Sequence, residues 1–148
     1  MTKTDYTVVG FLSSSDVAIS RIVAADNAGV AARQIMREYQ STDYKLMGVL
    51  KGQQMVLGTV DLLRLETPPV TYQEPTLLTV IGFDLYLDLA EEAPMADGLR
   101  AHSWEHAMLA AISMKSRSYQ PVCVIEGHTS FVITLKDLVQ DEAYADVV

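Results

Sequence analysis

The sequence predicts an α+β fold: a tandem duplication of a ββαββ unit, with antiparallel sheets, one helix per unit and a pseudo-twofold arrangement. Three recurrences predict it. Thr7-Val8-Val9-Gly10-Phe11 returns as Thr79-Val80-Ile81-Gly82-Phe83, and Val49-Leu50-Lys51-Gly52 returns as Val124-Ile125-Glu126-Gly127. Val56 to Leu62 returns as Val132 to Leu138, with Asp61-Leu62 placed on Asp137-Leu138. The offsets are 72, 75 and 76 residues, and they drift only where a loop would change length, as a repeat requires. Residues 1–65 are then the first unit and 66–75 a Pro-rich linker. Residues 76–148 are the second unit, with an acidic hairpin insertion and an acidic tail from Asp141.

Each element follows from local pattern. A β-rich run opens each unit, Tyr6 to Leu12 and Leu77 to Leu85. A second strand covers Val17 to Ala25 after the turn Ser13-Ser14-Ser15-Asp16, and its counterpart lies near Met95–Ala101. The helix of the first unit starts at Asp26 or Asn27 and carries Ala28, Ala31, Ala32, Ile35 and Tyr39 at helical spacing. In the second, Ser103 caps a stripe of Trp104, Ala107, Met108, Ala111 and Ile112. A hairpin is expected to close each unit. Lys45 to Leu50 turns at Gly52 into Met55 to Val60, and Pro121 to Ile125 turns at Gly127 into Ser130 to Leu135. Pro68, Pro69 and Pro75 forbid a helix in the linker.

Strand positions of both parities are apolar, as in Val8 with Val9, Met47 with Val49 and Leu50, and Val122 with Cys123. Such strands belong to sheets buried on both faces. One helix covers one face, so the two units are expected to bury the other against each other, as subunits of a homodimer do.

Composition narrows the function. Cys123 is the single cysteine, so no internal disulfide forms and secretion is not indicated. The N-terminus carries no basic region followed by an apolar run, and no stretch reaches a membrane span; the expected location is cytoplasmic. The net charge is −8. Residues 1–75 hold 7 Lys/Arg and 8 Asp/Glu, whereas residues 76–148 hold 4 and 11. The acidic second half disfavours direct nucleic-acid binding and allows a basic protein partner. No phosphate-binding glycine loop and no nucleophile elbow occurs, and no cofactor is implied.

Three clusters carry candidate chemistry. Asp84, Asp88, Glu91, Glu92 and Asp97 fall in a stretch, 84–97, that has no Lys or Arg. Its plain reading is a solvated loop; its functional reading is a docking surface for a basic partner. His102-Ser103-Trp104-Glu105-His106 matches the H-x-x-E-H pattern of inverted zinc peptidases, with His102 and His106 as metal ligands and Glu105 activating water. The same segment aligns with Asp26 to Val30, where no ligand types stand, and the plainer reading is a helix start. Cys123 with His128 is a nucleophile–base pair only if the two touch, and Cys123 sits in an apolar run where a thiol behaves as a small hydrophobe.

Tyr6-Thr7-Val8-Val9-Gly10-Phe11, the strand ending Val23-Ala24-Ala25-Asp26 before an alanine-rich helix, and the V-x-x-G before a last strand resemble small accessory proteins of bacterial plasmids and phages. The resemblance covers both copies and departs where His102 stands for Asp26 and where the second hairpin loop is enlarged. It implies a mobile-element protein that acts by binding, and offers no catalytic residues. The leading expectation is therefore a non-enzymatic binding protein, and more sharply an acidic decoy inhibitor of a host defence or nucleic-acid-handling protein. The alternatives are a small zinc-dependent hydrolase and a small-ligand sensor that uses the groove between the copies.

Overall fold

The computed structural model describes residues 3–15, 17–62 and 74–140. The strands are β1 (Thr4–Leu12), β2 (Ala18–Ala25), β3 (Tyr44–Lys51), β4 (Val56–Thr59), β5 (Thr76–Asp84), β6 (Met95–Ala101), β7 (Tyr119–Glu126) and β8 (Phe131–Thr134). Helices α1 (Ala28–Glu38) and α2 (Trp104–Met114) follow β2 and β6, and a short α3 (Leu135–Gln140) follows β8. All pairings are antiparallel, in two four-stranded sheets ordered β2-β1-β3-β8 and β4-β7-β5-β6.

Both helices start as their sequences require. Asn27, rather than Asp26, caps α1: its side-chain oxygen accepts from Val30 N at 2.9 Å. Ser103 Oγ accepts from His106 N at 3.2 Å at the start of α2. Such caps stabilise a helix by about 0.5–2 kcal/mol.

The doubled apolar parity of the strands resolves into three cores. Val8, Val49 and Leu46 pack with Ala31, Ala32 and Ile35 of α1 on one face of the first sheet. Val80, Val124 and Leu78 pack with Ala107, Met108 and Ala111 of α2 on one face of the second. Between the sheets lie Val9, Phe11, Met47 and Leu50 against Ile81, Val122, Cys123 and Ile125, with Phe11 stacked on Phe83 at 5.0 Å. The layers therefore run helix, sheet, sheet, helix. Neighbours in sequence, Val8 and Val9 or Val124 and Ile125, serve different cores because strand side chains alternate faces.

The expected closing hairpins do not form. β4 pairs with β7 of the second sheet, and β8 pairs with β3 of the first. The boundary at 66–75 thus does not separate the sheets; of that linker only 74 and 75 lie among the described residues. The turn glycines do adopt positive φ, 81° at both Gly52 and Gly127. What redirects the chain is a buried threonine. Thr7 Oγ1 donates to Gly52 O at 2.8 Å and accepts from Gln54 N at 2.9 Å. Thr79 Oγ1 donates to Gly127 O at 2.7 Å and accepts from Thr129 N at 3.1 Å. Thr7 shares the parity of Val9 and Phe11, and Thr79 that of Ile81 and Phe83, so both hydroxyls face the space between the sheets. Each turn is drawn onto that side, and the following strand reaches the opposite sheet instead of folding back along its predecessor.

The expectation of one helix per unit also needs correcting. α3 occupies residues read as strand and tail. Thr134 starts it, with Asp137 Oδ2 accepting from Thr134 N at 2.8 Å and from its hydroxyl at 3.2 Å. This Thr-x-x-Asp spacing is a helix-start signature. In the first half Thr59 donates to Asp61, one residue closer, and only a single 3-10 turn, Val60–Leu62, follows. Strand pairing sets Thr59 against Cys123 and Thr134 against Gly48, so the last recurrence is better matched with Thr59 on Thr134. α3 brings Leu138 into the core under α1, where it is 1% exposed.

Two glycines are required by close approach. Register shifts at Val9/Gly10 and Ile81/Gly82 mark irregularities in the β1–β3 and β5–β7 ladders. The rings of Tyr44 and Tyr119 lie where a Cβ of Gly10 or Gly82 would stand. A tyrosine covering a strand glycine restores the buried area that the missing side chain forfeits.

Candidate functional site

The acidic stretch forms the connection between β5 and β6, and hydrogen bonds set its shape. β5 ends at Asp84, one residue before the strand expected from sequence. Asp84 Oδ1 accepts from Tyr86 N at 3.0 Å, and Asp84 O accepts from Leu87 N at 3.1 Å. Asp88 closes the next turn: Oδ1 accepts from Ala90 N at 2.9 Å, and its carbonyl accepts from Glu91 N and Glu92 N. Leu89 is buried in the core between the sheets and anchors the connection there.

That anchoring leaves neighbours outside. Leu85, Tyr86 and Leu87 are all exposed, Tyr86 at 88%. Asp88, Glu91 and Glu92 are exposed beside them, and Asp84 is half-buried. Asp97 stands apart from the other four. It lies opposite Val80, whose side chain belongs to the α2 core, and so faces the helix side of the sheet. There Lys115 Nζ lies 3.1 Å from Asp97 Oδ2 and donates to Oδ1 at 3.2 Å. The candidate surface therefore contains Asp84, Asp88, Glu91 and Glu92 but not Asp97. It also contains three apolar residues that sequence reasoning missed. A run of Leu85-Tyr86-Leu87 past the last paired position of a strand was the available signal.

An open cleft of about 470 Å³ adjoins this crest. Phe11, Lys45 and Leu135 line one side, and Phe83, Tyr86 and Asp88 line the other. It opens at one end of the packed space between the sheets. The centre of that space is filled by apolar side chains of both sheets.

The zinc-type motif is dispersed by the fold. His102 precedes the Ser103 cap, so His102 and His106 do not share a helical face. His106 Nδ1 lies 2.7 Å from Ser103 Oγ, within its own helix start. Among the described residues no group of three or more His, Cys, Asp or Glu is placed to hold a metal ion. His128 lies over Gly98 of β6, whereas Cys123 is buried between the sheets.

Burial pushes the Cys123 thiol from an ordinary 9.0 up to about 12. The phenols of Tyr44 and Tyr119 are raised in the same way, chiefly by desolvation. In all three the folded state favours the neutral form. The stability they contribute is intact below the unfolded values, near 9 to 10, and is lost as pH rises beyond them. Alkylation of Cys123 in the native protein at pH 8 should therefore be slower than in denaturant by orders of magnitude. Rapid native labelling would show that the thiol is reachable.

Fold and surface together define a two-sheet α+β protein carrying an exposed apolar crest with an acidic margin. No family model, curated protein or solved structure matches the chain. Among the described residues no helix is long and apolar enough to cross a membrane.

Proposed function

We propose that the protein is a non-enzymatic binding module of a mobile genetic element, which docks a basic protein partner through the β5–β6 connection. The observation that carries this reading is the crest itself. Three consecutive exposed apolar side chains, Leu85, Tyr86 and Leu87, are held out by the buried anchor Leu89 and bordered by Asp88, Glu91 and Glu92. Exposed aromatic and aliphatic groups supply contact energy at interfaces, while surrounding charge sets partner sign and encounter rate. A partner that normally grips nucleic acid has the complementary charge, so the sharper form of the proposal is an acidic decoy inhibitor of a host defence or nucleic-acid-handling protein.

The scaffold, on the same proposal, is a duplicated unit fused into a pseudodimer whose halves exchange their last strands. Paired features support it: Thr7 with Thr79, Tyr44 with Tyr119, Phe11 with Phe83. Arg21 of β2 pairs with Glu38 of α1 at 2.7 Å, and Asp97 of β6 pairs with Lys115 after α2. Arg21 lies opposite Val8 and Asp97 opposite Val80, so equivalent strand positions carry strand-to-helix ion pairs of reversed sign.

The test is affinity capture from host lysate with nuclease present, using wild-type protein, a Glu91→Lys/Glu92→Lys variant and Tyr86→Ala. One protein should be retained by the wild type at low salt, released at moderate salt, and lost with either variant. Each reversed charge is expected to weaken binding several-fold or more at low salt, through loss of attraction and gain of repulsion. Undiminished capture by both variants would remove the crest from the interface.

A further inference from the structure

The outer edge of β2 is open, and its chemistry fits a second copy of this chain. β2 pairs with β1 over Ala18–Ala25 in an unbroken register. Leu12 N donates to Val17 O at 3.0 Å, and that pair continues the same register. Antiparallel ladders alternate hydrogen-bonded and non-bonded pairs. Ile19, Arg21, Val23 and Ala25 therefore direct their backbone groups to β1. Ala18, Ser20, Ile22 and Ala24 direct theirs outward. Among the described residues no strand pairs with that edge.

The other edges are blunted. β4 and β8 are four residues long, and each runs directly into a helical turn. The outward residues of β6, by the same alternation, are Ala96, Gly98 and Arg100. Arg100 is exposed and charged, and the His128 ring stands beside Gly98, where a side chain at that position would lie. Exposed edge strands in monomers usually carry a lysine, a proline, a bulge or an inward charge. β2 has no lysine, proline or bulge, and its one charge, Arg21, is engaged with Glu38. Ile22 is 53% exposed at its middle.

We infer that two copies of the protein associate through β2, antiparallel about a twofold axis at Ile22, joining their first sheets into one continuous sheet. In that register Ser20 bonds to Ala24 of the second copy, Ile22 to Ile22 and Ala24 to Ser20, so the outward backbone groups of these three residues are satisfied. Ile22 meets Ile22 on the side facing the second sheet, while Arg21 stands opposite Val23, so no like charges oppose. Charge selects this edge as well. Residues 1–75 are nearly neutral, with 7 basic and 8 acidic residues, while the acidic excess lies in 76–148. Two copies of a chain of net charge −8 meet with least repulsion along β2. With one such open edge among the described residues, the contact is isologous and closes at a dimer instead of propagating. The inference does not depend on the docking role of the β5–β6 connection.

Sedimentation of the full chain across micromolar to near-millimolar concentration should show a monomer–dimer equilibrium. Ile22→Lys and Ser20→Pro should each shift it to monomer while leaving circular dichroism unchanged. The lysine sits on an exposed position, and the proline removes only an outward N–H, which an edge strand tolerates. Ile22→Cys gives a second check, since Cys123 is buried. Mild oxidation should link Ile22→Cys into a covalent dimer and leave the wild type unlinked. A wild type that stays monomeric throughout, or a dimer that survives both Ile22→Lys and Ser20→Pro, overturns the inference.

Discussion

Residues 1–75 expressed alone will not form a stable monomer, and neither will residues 76–148. The first fragment loses β8 from its sheet and Leu138 from the core under α1. It also uncovers Val9, Phe11, Met47 and Leu50, which the second sheet covers. At about 1.5–3 kcal/mol for each buried side chain, those four alone rival the roughly 5–15 kcal/mol of net stability a domain holds. Its β4 would also be left without β7. Mixing the two fragments should restore the far-ultraviolet dichroism and one cooperative transition, because each supplies the strand the other lacks. A monomeric 1–75 fragment that melts cooperatively near the temperature of the full chain would show that the exchanged strands and the inter-sheet core are dispensable.

Leu138→Ala is expected to destabilise the full chain by about 2–5 kcal/mol, the range for truncating a buried leucine. Leu138 is 1% exposed and packs with the α1 core, although it lies in the last described helix and α1 in the first. Val139, its neighbour, is exposed, and Val139→Ala should change stability by less than about 0.5 kcal/mol. Urea titration of both variants measures the difference. Amide exchange should locate the loss in α1, β1 and β3 more than in α2, β5 and β7. An effect below 1 kcal/mol would mean that α3 is not held in the core.

The sequence displayed the elements well and the connections poorly. Helix starts at Asn27 and Ser103 were readable because a cap is local: an acceptor side chain, then an apolar stripe. Burial of both sheet faces was readable from strand positions such as Val8 and Val9, where alternation fails to separate apolar from polar. The strand exchange was not. A glycine turn between two short β runs looks the same whether the second run returns or crosses. The deciding hydroxyls, Thr7 and Thr79, stand about 45 to 50 residues from the turns they hold. α3 was within reach, because Thr134 to Asp137 has the spacing of a helix start. Its likeness to the strand-ending Thr59 to Leu62 obscured a difference of one residue.

Among the candidate site residues, the charges were legible and their company was not. Asp97 belongs with its neighbours by composition, yet strand parity turns it to the α2 side, where Lys115 meets it. Leu85 read as the end of a strand and Tyr86 and Leu87 as part of an acidic loop, and the turn at Asp84 puts all three in solvent as one apolar run.

The crossing of β4 and β8 also sets the order in which the protein can mature on the ribosome. Synthesis proceeds from the N-terminus at roughly 5–20 residues per second, and the first sheet lacks its last strand until Phe131–Thr134 have emerged. For the several seconds between synthesis of β3 and β8, the outer edge of β3 and the apolar face of Val9 and Met47 are without their final cover. The nascent chain therefore cannot secure its first half before its second, and a ribosome stalled anywhere in residues 60–130 holds an adhesive intermediate rather than one finished domain.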